Sequence, residues 1–501
     1  MSDSSAFSLY NIETVTTILL VLSVSLFLSR KYLTERRLRR PPGPWGLPIL
    51  GHLPFFGPSP PRTFARWRQT YGNVFRIRLG SWKTVVLNGY DVIKEAADKG
   101  DDFSGRPCFV SQELLQIVNG GPPSFTFEQF GEAYLNRRKS ITSALHLFTA
   151  KERKATEEIF IEEVNKLVKS LLQYGKDARK IKDDIQFAVG SNIYQFLFGN
   201  DKSIDREDQL KRIVNHSNKI TEFLRNGNPF DVMPWLRYIM QNRIKAFITI
   251  TSEFRHMIKQ QIQDHVKTFS PAITRDLTDA LIAADGDVND GIDQKTKLVA
   301  TLPDLQGAGF DTTNKTLQWL ILYMAAFPEV QTRVQAEIDE LVGTGRQITS
   351  ADRQTLVYTE ATINEVLRSV SLSPFLVPKL TTCDTSIGGY DIEKGTVVIF
   401  NQHSSCHERE FWVDPEEFRP ERFITPDGKL DQTKFSHVMT FGLGRRKCVG
   451  DVFAKMQTFL WFSTLMQRCQ FVKPPDVAYD LDPIPGLSYS SKDFLVIVQE
   501  R

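Results

Sequence analysis

Between Phe441 and Gly450 the chain reads FGLGRRKCVG and passes without a break into DVFAKMQTFLWFSTLM, a run with helical apolar spacing. Glycine allows sharp reversals and a close backbone approach to a flat ligand, so this stretch is a tight loop that delivers one cysteine to one place. Cys448 is expected at the first turn of the following helix, where free N–H groups and the helix dipole favour a thiolate. Arg446 adds a planar fork of donors suited to carboxylates. Such a loop needs a large core to hold it, and 501 residues with 41% hydrophobic content supply one. Disordered, fibrous and disulfide-stapled classes are excluded.

Charge is nearly balanced, 62 Lys+Arg against 59 Asp+Glu for a net +3 at pH 7, which argues against nucleic acid as a partner. Five cysteines, Cys108, Cys383, Cys406, Cys448 and Cys469, are scattered without CxxC spacing. They indicate neither a disulfide framework nor a zinc site and suit a reducing compartment. No linker-like stretch follows about residue 61, so 62–501 is expected to be one large folded unit.

At the amino terminus, Thr14 to Ser29 reads TVTTILLVLSVSLFLS, about 16 uncharged residues against the roughly 20 that span a bilayer. Arg30, Lys31, Arg36, Arg37, Arg39 and Arg40 follow, and such a basic flank stays in the cytoplasm. A cleavable signal peptide would carry its charges before the apolar run. Residues 1–30 are therefore expected to be a retained signal anchor, with a segment lying in the membrane interface as the alternative. Residues 31–61 form a basic and proline-rich hinge, whose PPGPWGLPILG (Pro41 to Gly51) cannot continue a helix.

Alternating β-branched runs predict a hairpin from Val74–Leu79 and Lys83–Leu87, with further strands at Val397–Phe400 and Phe494–Val498. Apolar residues at helical spacing predict helices over 151–175, 205–225, 240–268, 296–328, 330–343, 357–371 and 448–468. The fold class is mainly α with small β-sheets. Pro303 removes one bond of the 296–328 helix and predicts a kink there.

Other patterns accompany the cysteine loop. Glu365-Val-Leu-Arg368 sets opposite charges one helical turn apart, by itself usually a solvated pair worth a few tenths of a kcal/mol. Pro420-Glu421-Arg422-Phe423 offers a second arginine. Ala308-Gly309-Phe310-Asp311-Thr312-Thr313 puts glycine and hydroxyls in mid-helix, where they suggest a distorted ladder that admits a small ligand. Read alone, Asp311-Thr312-Thr313 also suits a helix N-cap. As a pair, Asp311 and Thr312 can relay protons.

Phe441-x-x-Gly444-x-Arg446-x-Cys448-x-Gly450, with ExxR at Glu365–Arg368 and AGFDTT at Ala308–Thr313, resembles the cytochrome P-450 superfamily, a likeness running from about Pro41 to the end of the chain. The resemblance implies that fold, with haem b between a long central helix and the cysteine loop, and a membrane anchor before it. It implies Cys448 as the axial ligand of the haem iron, whose thiolate pushes electron density toward the metal. Arg446 would meet a haem propionate, Phe441 would pack beside the sulfur and Gly444 would shape the loop. Glu365, Arg368 and Arg422 would form a structural triad, and Asp311 and Thr312 the proton relay for oxygen activation. In Tyr134-Leu-Asn-Arg137-Arg138-Lys139, Arg138 matches a propionate-holding arginine, but Tyr134 stands where the family usually has tryptophan. A phenol still donates one hydrogen bond to a carboxylate, so weaker haem retention is expected. Lys379 and Arg106 are further propionate candidates.

GAGFDTT, NQHSSCHEREFWVDPEEFRPERF, GDDFSGRP and RNGNPFDVMPWLRY look most like the microsomal animal branch holding the aryl-hydrocarbon-inducible family 1 enzymes and the steroid 17- and 21-hydroxylases. The implied reaction inserts one atom of O2 into a lipophilic substrate, in the endoplasmic reticulum membrane with the catalytic domain on the cytoplasmic face. Asp304, Gly307, Ala308, Ile220, Phe223, Leu376, Val377 and Leu487 are expected to line the pocket. A mostly apolar wall with one carboxylate suits aromatic or polycyclic xenobiotics or steroid-like molecules. Electrons would come from NADPH through a flavoprotein cytochrome reductase, with cytochrome b5 as a further donor, because no Gly-rich dinucleotide fingerprint follows a strand in this chain. Arg137, Lys139, Arg445, Lys447 and Lys455 are expected to steer that acidic partner. The alternatives are a haem-thiolate isomerase or dehydratase, which needs no Asp311–Thr312 relay, and an inactive haem-binding relative.

Overall fold

A computed structural model describes residues 15–19, 22–23, 38–120, 122–199, 206–225, 227–285 and 294–501. Most of the expected anchor, 1–30, lies outside them. Among the described residues no helix is long and apolar enough to cross a membrane.

The strands are β1 (Val74–Leu79), β2 (Trp82–Asn88), β3 (Lys379–Leu380), β4 (Thr385–Ile387), β5 (Tyr390–Ile392), β6 (Val397–Asn401), β7 (Cys469–Val472) and β8 (Ile497–Glu500). β1 and β2 form the antiparallel hairpin that alternation predicts, turning at Gly80, where φ is 55°. β2 then runs parallel to β6, and β3 closes the sheet in the order β1-β2-β6-β3. β4 pairs with β5, and β7 with β8. The last strand begins three residues later than alternation suggests, because Val496 is used in an isolated bridge to Arg179.

Everything else is organised by helices. Those expected from periodicity are found as Arg153–Leu172, Arg206–Leu224, Gln241–Lys267, Gln294–Ala326, Pro328–Leu341, Val357–Val370 and Asp451–Arg468. The Gln294–Ala326 helix is the axis of the molecule and packs against the Lys182–Phe198, Gln241–Lys267 and Asp451–Arg468 helices. It runs as one helix across the buried Pro303. From Thr313 to Ala325 it is buried on every side, with Trp319, Leu320 and Ile321 at its centre. The Lys182–Phe198 helix was not expected from periodicity. From Ile185 onward all its residues but Phe187 are buried, so it has no polar face to mark a period.

Candidate active site

The cysteine loop reverses on left-handed backbone at Met439, Gly442 and Gly444, with φ of 50°, 69° and 72°. At Gly444 a Cβ would sit 2.9 Å from the Ala97 carbonyl oxygen, so only glycine fits. Cys448 N–H donates to the Phe441 carbonyl at 2.9 Å and closes the loop. The helix that follows starts at Asp451 with Gly450 before it, so Cys448 precedes the first turn instead of occupying it. In the haem-free chain, burial raises the Cys448 thiol pKa, with a hydrogen bond from the Gly450 backbone opposing it. The expected thiolate is therefore not stabilised by the helix end alone. Cys448 also shows free surface.

Two buried cations, Arg106 and Lys379, stand together with the half-buried Arg446. Arg446 donates to the carbonyls of Ser104 at 2.8 Å and Glu128 at 2.7 Å, while its Nη1 is buried without a hydrogen-bond partner. Arg106 donates to the Thr126 carbonyl at 2.8 Å and the Pro378 carbonyl at 2.9 Å. Burial, and then the charge of Arg446, lowers its pKa to about 9. Lys379 has its Nζ 3.8 Å from the centroid of Phe400. Burial holds it well below the ordinary lysine value, with Arg106 and Arg446 pushing the same way. Like charges gathered out of water with an unpaired donor need an anion, and the carboxylates of a haem group meet that need.

Tyr134 forms one wall of this cradle. Its ring stacks on Phe125 at 5.3 Å and carries the Arg446 guanidinium 3.7 Å above its centroid. Its hydroxyl accepts from Arg138 Nη1 at 3.2 Å and donates to the Arg445 carbonyl at 3.4 Å. The phenol proton is thus directed at the Arg445 carbonyl. Phe441 lies beneath the Lys455 ammonium, 5.1 Å from its ring centroid.

On the central helix Ala308 is exposed while its neighbours are mostly covered, and a Cβ on Gly307 would meet nothing within 4 Å. The helix therefore borders open space at the height of Asp311 and Thr312. Thr312 Oγ1 donates to the Ala308 carbonyl at 2.7 Å. Asp311 is held by Lys315 Nζ at 2.8 Å, by Thr221 Oγ1 at 3.2 Å and by Ser488 Oγ. The sequence reading missed Lys315, Thr221 and Ser488. Only Lys315, four residues after Asp311 on one helix, left a local signal.

Glu365, Arg368 and Arg422 are buried together below the loop. Arg368 binds Glu365 through both nitrogens, at 2.6 and 2.9 Å, and Arg422 Nε reaches Glu365 Oε1 at 2.9 Å. The remaining donors hold the carbonyls of Cys406, Val413, Asp414, Pro415 and Glu417.

The expected substrate-side residues are more dispersed. Asp304 Oδ2 accepts from the Thr126 N–H at 2.9 Å, so it ties a loop to the central helix and is not a lone pocket carboxylate. Phe223 stacks on Phe247 at 5.3 Å, with the Arg243 guanidinium on the ring, and Ile220 packs on the main core. Leu376 takes a φ of 46° and packs beside the β6 cluster. The Val377 carbonyl accepts from Arg106 at 3.4 Å. Leu487 is 64% exposed. A cavity of about 1590 Å³, lined by Arg62, Arg68, His403, Glu417 and Asp482 among others, touches the carbonyl ring of the Arg368–Arg422 cluster at Pro415 and Glu417 but shares no lining residue with the cysteine loop, the cation cradle or the Asp311–Thr312 face.

The expected docking cations also divide. Lys139 is exposed, Arg445 pairs with Asp101 at 3.1 Å and Lys447 with Asp451 at 2.6 Å. Arg137 does not belong with them. Its side chain is 10% exposed and binds Glu128 at 3.1 Å, the Pro123 carbonyl at 2.9 Å and Thr301 Oγ1 at 3.1 Å. Lys455 is half-buried, and burial lowers its pKa.

Comparison with known proteins agrees with this site. A family model described as Cytochrome P450 matches residues 41–497. The chain is similar to cytochrome P450 1A1 of Macaca fascicularis, 36% identical over 472 residues that cover 90% of each chain. It is similar to the Homo sapiens protein of that name, 36% identical over 466 residues with the same coverage, and to the Felis catus one, 37% identical over 467 residues covering 90% of this chain and 89% of the relative. The chain belongs to the cytochrome P450 family and is a haem-thiolate monooxygenase, of family 1 type, that uses haem b, O2 and electrons supplied by a reductase.

Proposed function

We propose that this monooxygenase works at the endoplasmic reticulum membrane, anchored by residues 1–30 through the hinge 31–61, with the body 62–501 on the cytoplasmic face. Its substrates are planar aromatic or steroid-like lipophiles. The observation that carries the site assignment is the cradle of Arg106, Lys379 and Arg446, with one guanidinium nitrogen unpaired, beside the loop that presents Cys448. In this reading Cys448 is the axial ligand, and haem, when bound, supplies the electron-rich iron that favours O–O cleavage. The three cations bind the propionates, and Arg138 and Tyr134 fix Arg446. Phe441 shields the sulfur, and Gly444 keeps the loop in shape. Asp311 holds a proton and Thr312 passes it on at Oγ1. Glu365, Arg368 and Arg422 keep the chain beneath the loop in place. An isomerase or dehydratase has no use for that acid–alcohol pair.

The membrane reading is supported by the basic flank after residue 29 and by exposed apolar residues on neighbouring segments. Trp45, Ile49 and Leu50 are exposed in the hinge, and Trp235, Tyr238 and Ile239 are exposed after Met233. Gly80 N–H bonds the Leu50 carbonyl and Ser81 N–H bonds the Val232 carbonyl, which brings these segments to one edge. Ile220, Phe223, Leu376, Val377 and Leu487 are the substrate-side candidates. Lys139, Arg445 and Lys447 are the proposed docking cations for an NADPH-cytochrome reductase, with cytochrome b5 as a second donor.

The test of the ligand assignment is the absorption spectrum of the dithionite-reduced, carbon monoxide-bound protein beside that of Cys448→His. A strongly red-shifted Soret band in the wild type, lost in the variant, is expected. A histidine-like band in the wild type would overturn the assignment.

A further inference from the structure

Lys315 lies one turn beyond Asp311 on the central helix, and only 5% of it is exposed. An ammonium taken out of water is costly unless its donors are met. Here three acceptors meet them: Asp311 Oδ2 at 2.8 Å, Ser488 Oγ at 2.8 Å and the Ser488 carbonyl at 3.3 Å. Asp311 accepts from the Ser488 hydroxyl on the same oxygen and from Thr221 Oγ1 at 3.2 Å on the other. Both carboxylate oxygens are thus held by donors other than Thr312, whose hydroxyl is spent on the Ala308 carbonyl. The two members of the proposed relay stand with separate partners.

We propose that Lys315 is a positioning residue that, with Ser488, latches the Asp311 side chain out of contact with Thr312, so that proton delivery waits on the opening of this latch. The inference rests on the reading of Asp311 and Thr312 as proton carriers. The partner set suits a latch better than a fixed strut. When Asp311 turns away, the ammonium keeps both Ser488 acceptors and is not stranded without partners. Ser488 also follows directly on Leu487, whose side chain is 64% exposed. A molecule packing on Leu487 bears on the same short segment that carries the latch, and it shifts the latch by as much as it binds the open and closed forms unequally.

The experiment compares Lys315→Met, Lys315→Arg, Ser488→Ala and Asp311→Asn in the full haem-loaded chain, each with an intact reduced carbon monoxide spectrum. Lys315→Met removes the ammonium that holds Asp311 Oδ2, and peroxide released per NADPH is expected to rise by about threefold to tenfold, a fraction of what a proton-transfer group contributes in full. Lys315→Arg restores a cation at that place and is expected to bring the release back toward the wild-type value. Ser488→Ala keeps the charge and is expected to give a smaller rise, with faster hydrogen exchange over 486–490. Lys315→Met with wild-type peroxide release overturns the latch. Should Lys315→Met not retain haem, unchanged exchange and unchanged peroxide release in Ser488→Ala overturn it instead. Asp311→Asn with unaltered turnover and peroxide release would sink the relay reading itself, independently of Lys315.

Discussion

The guanidinium of Arg446 sits 3.7 Å above the ring of Tyr134, and that ring rests on Phe125 in turn. A half-buried cation on an aromatic face is held by roughly 1–2 kcal/mol, and in the proposed reading the tyrosine acts on the haem group through Arg446. Removing only the hydroxyl leaves the stack intact. Tyr134→Phe is therefore expected to change the rate of haem loss to a scavenger protein by less than about threefold, whereas Tyr134→Ala speeds it by about tenfold or more. Equal effects of the two variants would return the hydroxyl to the role of carboxylate donor.

Buried Lys379 carries a stability cost, which haem binding would offset in the proposed reading. Its pKa in the folded chain lies below its unfolded value, so the haem-free fold is penalised wherever the unfolded lysine is charged. The penalty is full below the folded pKa and fades as pH rises toward about 10.4. Lys379→Met is expected to raise the Tm of the haem-free chain at neutral pH, by an amount that shrinks as pH rises, and to speed haem loss from the loaded protein. A Tm difference that is independent of pH would mean that the lysine is not buried in its charged form.

How much of this was legible in the sequence depends on what each residue faces. The cysteine loop, the ExxR pair and the amphipathic helices have local signatures, and each is present in the structure as a closed loop, a buried ion pair and a set of helices. The Lys182–Phe198 helix has none, because a helix covered on nearly all faces repeats no polar stripe. Arg137 and Lys139 look alike as letters, yet successive helical residues are turned by about 100°. One therefore faces Glu128 and Thr301, and the other faces water. The Asp311–Lys315 spacing was visible, but its meaning depended on Ser488, far along the chain.

That difference separates docking from folding. Lys139→Glu with Lys447→Glu is expected to leave Tm within about 1 kcal/mol of wild-type stability, since exposed charges contribute little. It should raise the reductase concentration needed for half-maximal turnover, and the effect should shrink at high salt. Arg137→Glu instead sets a carboxylate against Glu128 in a nearly closed site. It should lower Tm at any ionic strength. A salt-dependent loss of reductase coupling in Arg137→Glu, with Tm unchanged, would restore Arg137 to the docking face.

The Glu365–Arg368–Arg422 cluster shows how a charge can be required without touching the chemistry. Glu365 is wholly buried and meets two arginines, and Arg368 spends its other donors on the carbonyls of Cys406 and Pro415. Breaking such a cluster from one side leaves an unpaired charge in the core, at about 3–5 kcal/mol. Arg368→Lys keeps the charge but not the fork that serves a carboxylate and two carbonyls at once. Its expected outcome is poor folding and low haem content, with the protein that does fold showing a normal reduced carbon monoxide band. Which charge is removed decides the cost. Glu365→Gln leaves both Arg368 and Arg422 without a carboxylate, whereas Arg368→Met leaves Glu365 paired with Arg422, so Glu365→Gln is expected to be less stable to urea than Arg368→Met, and the opposite order would show that the arginine's packing, and not its pairing, holds the segment in place.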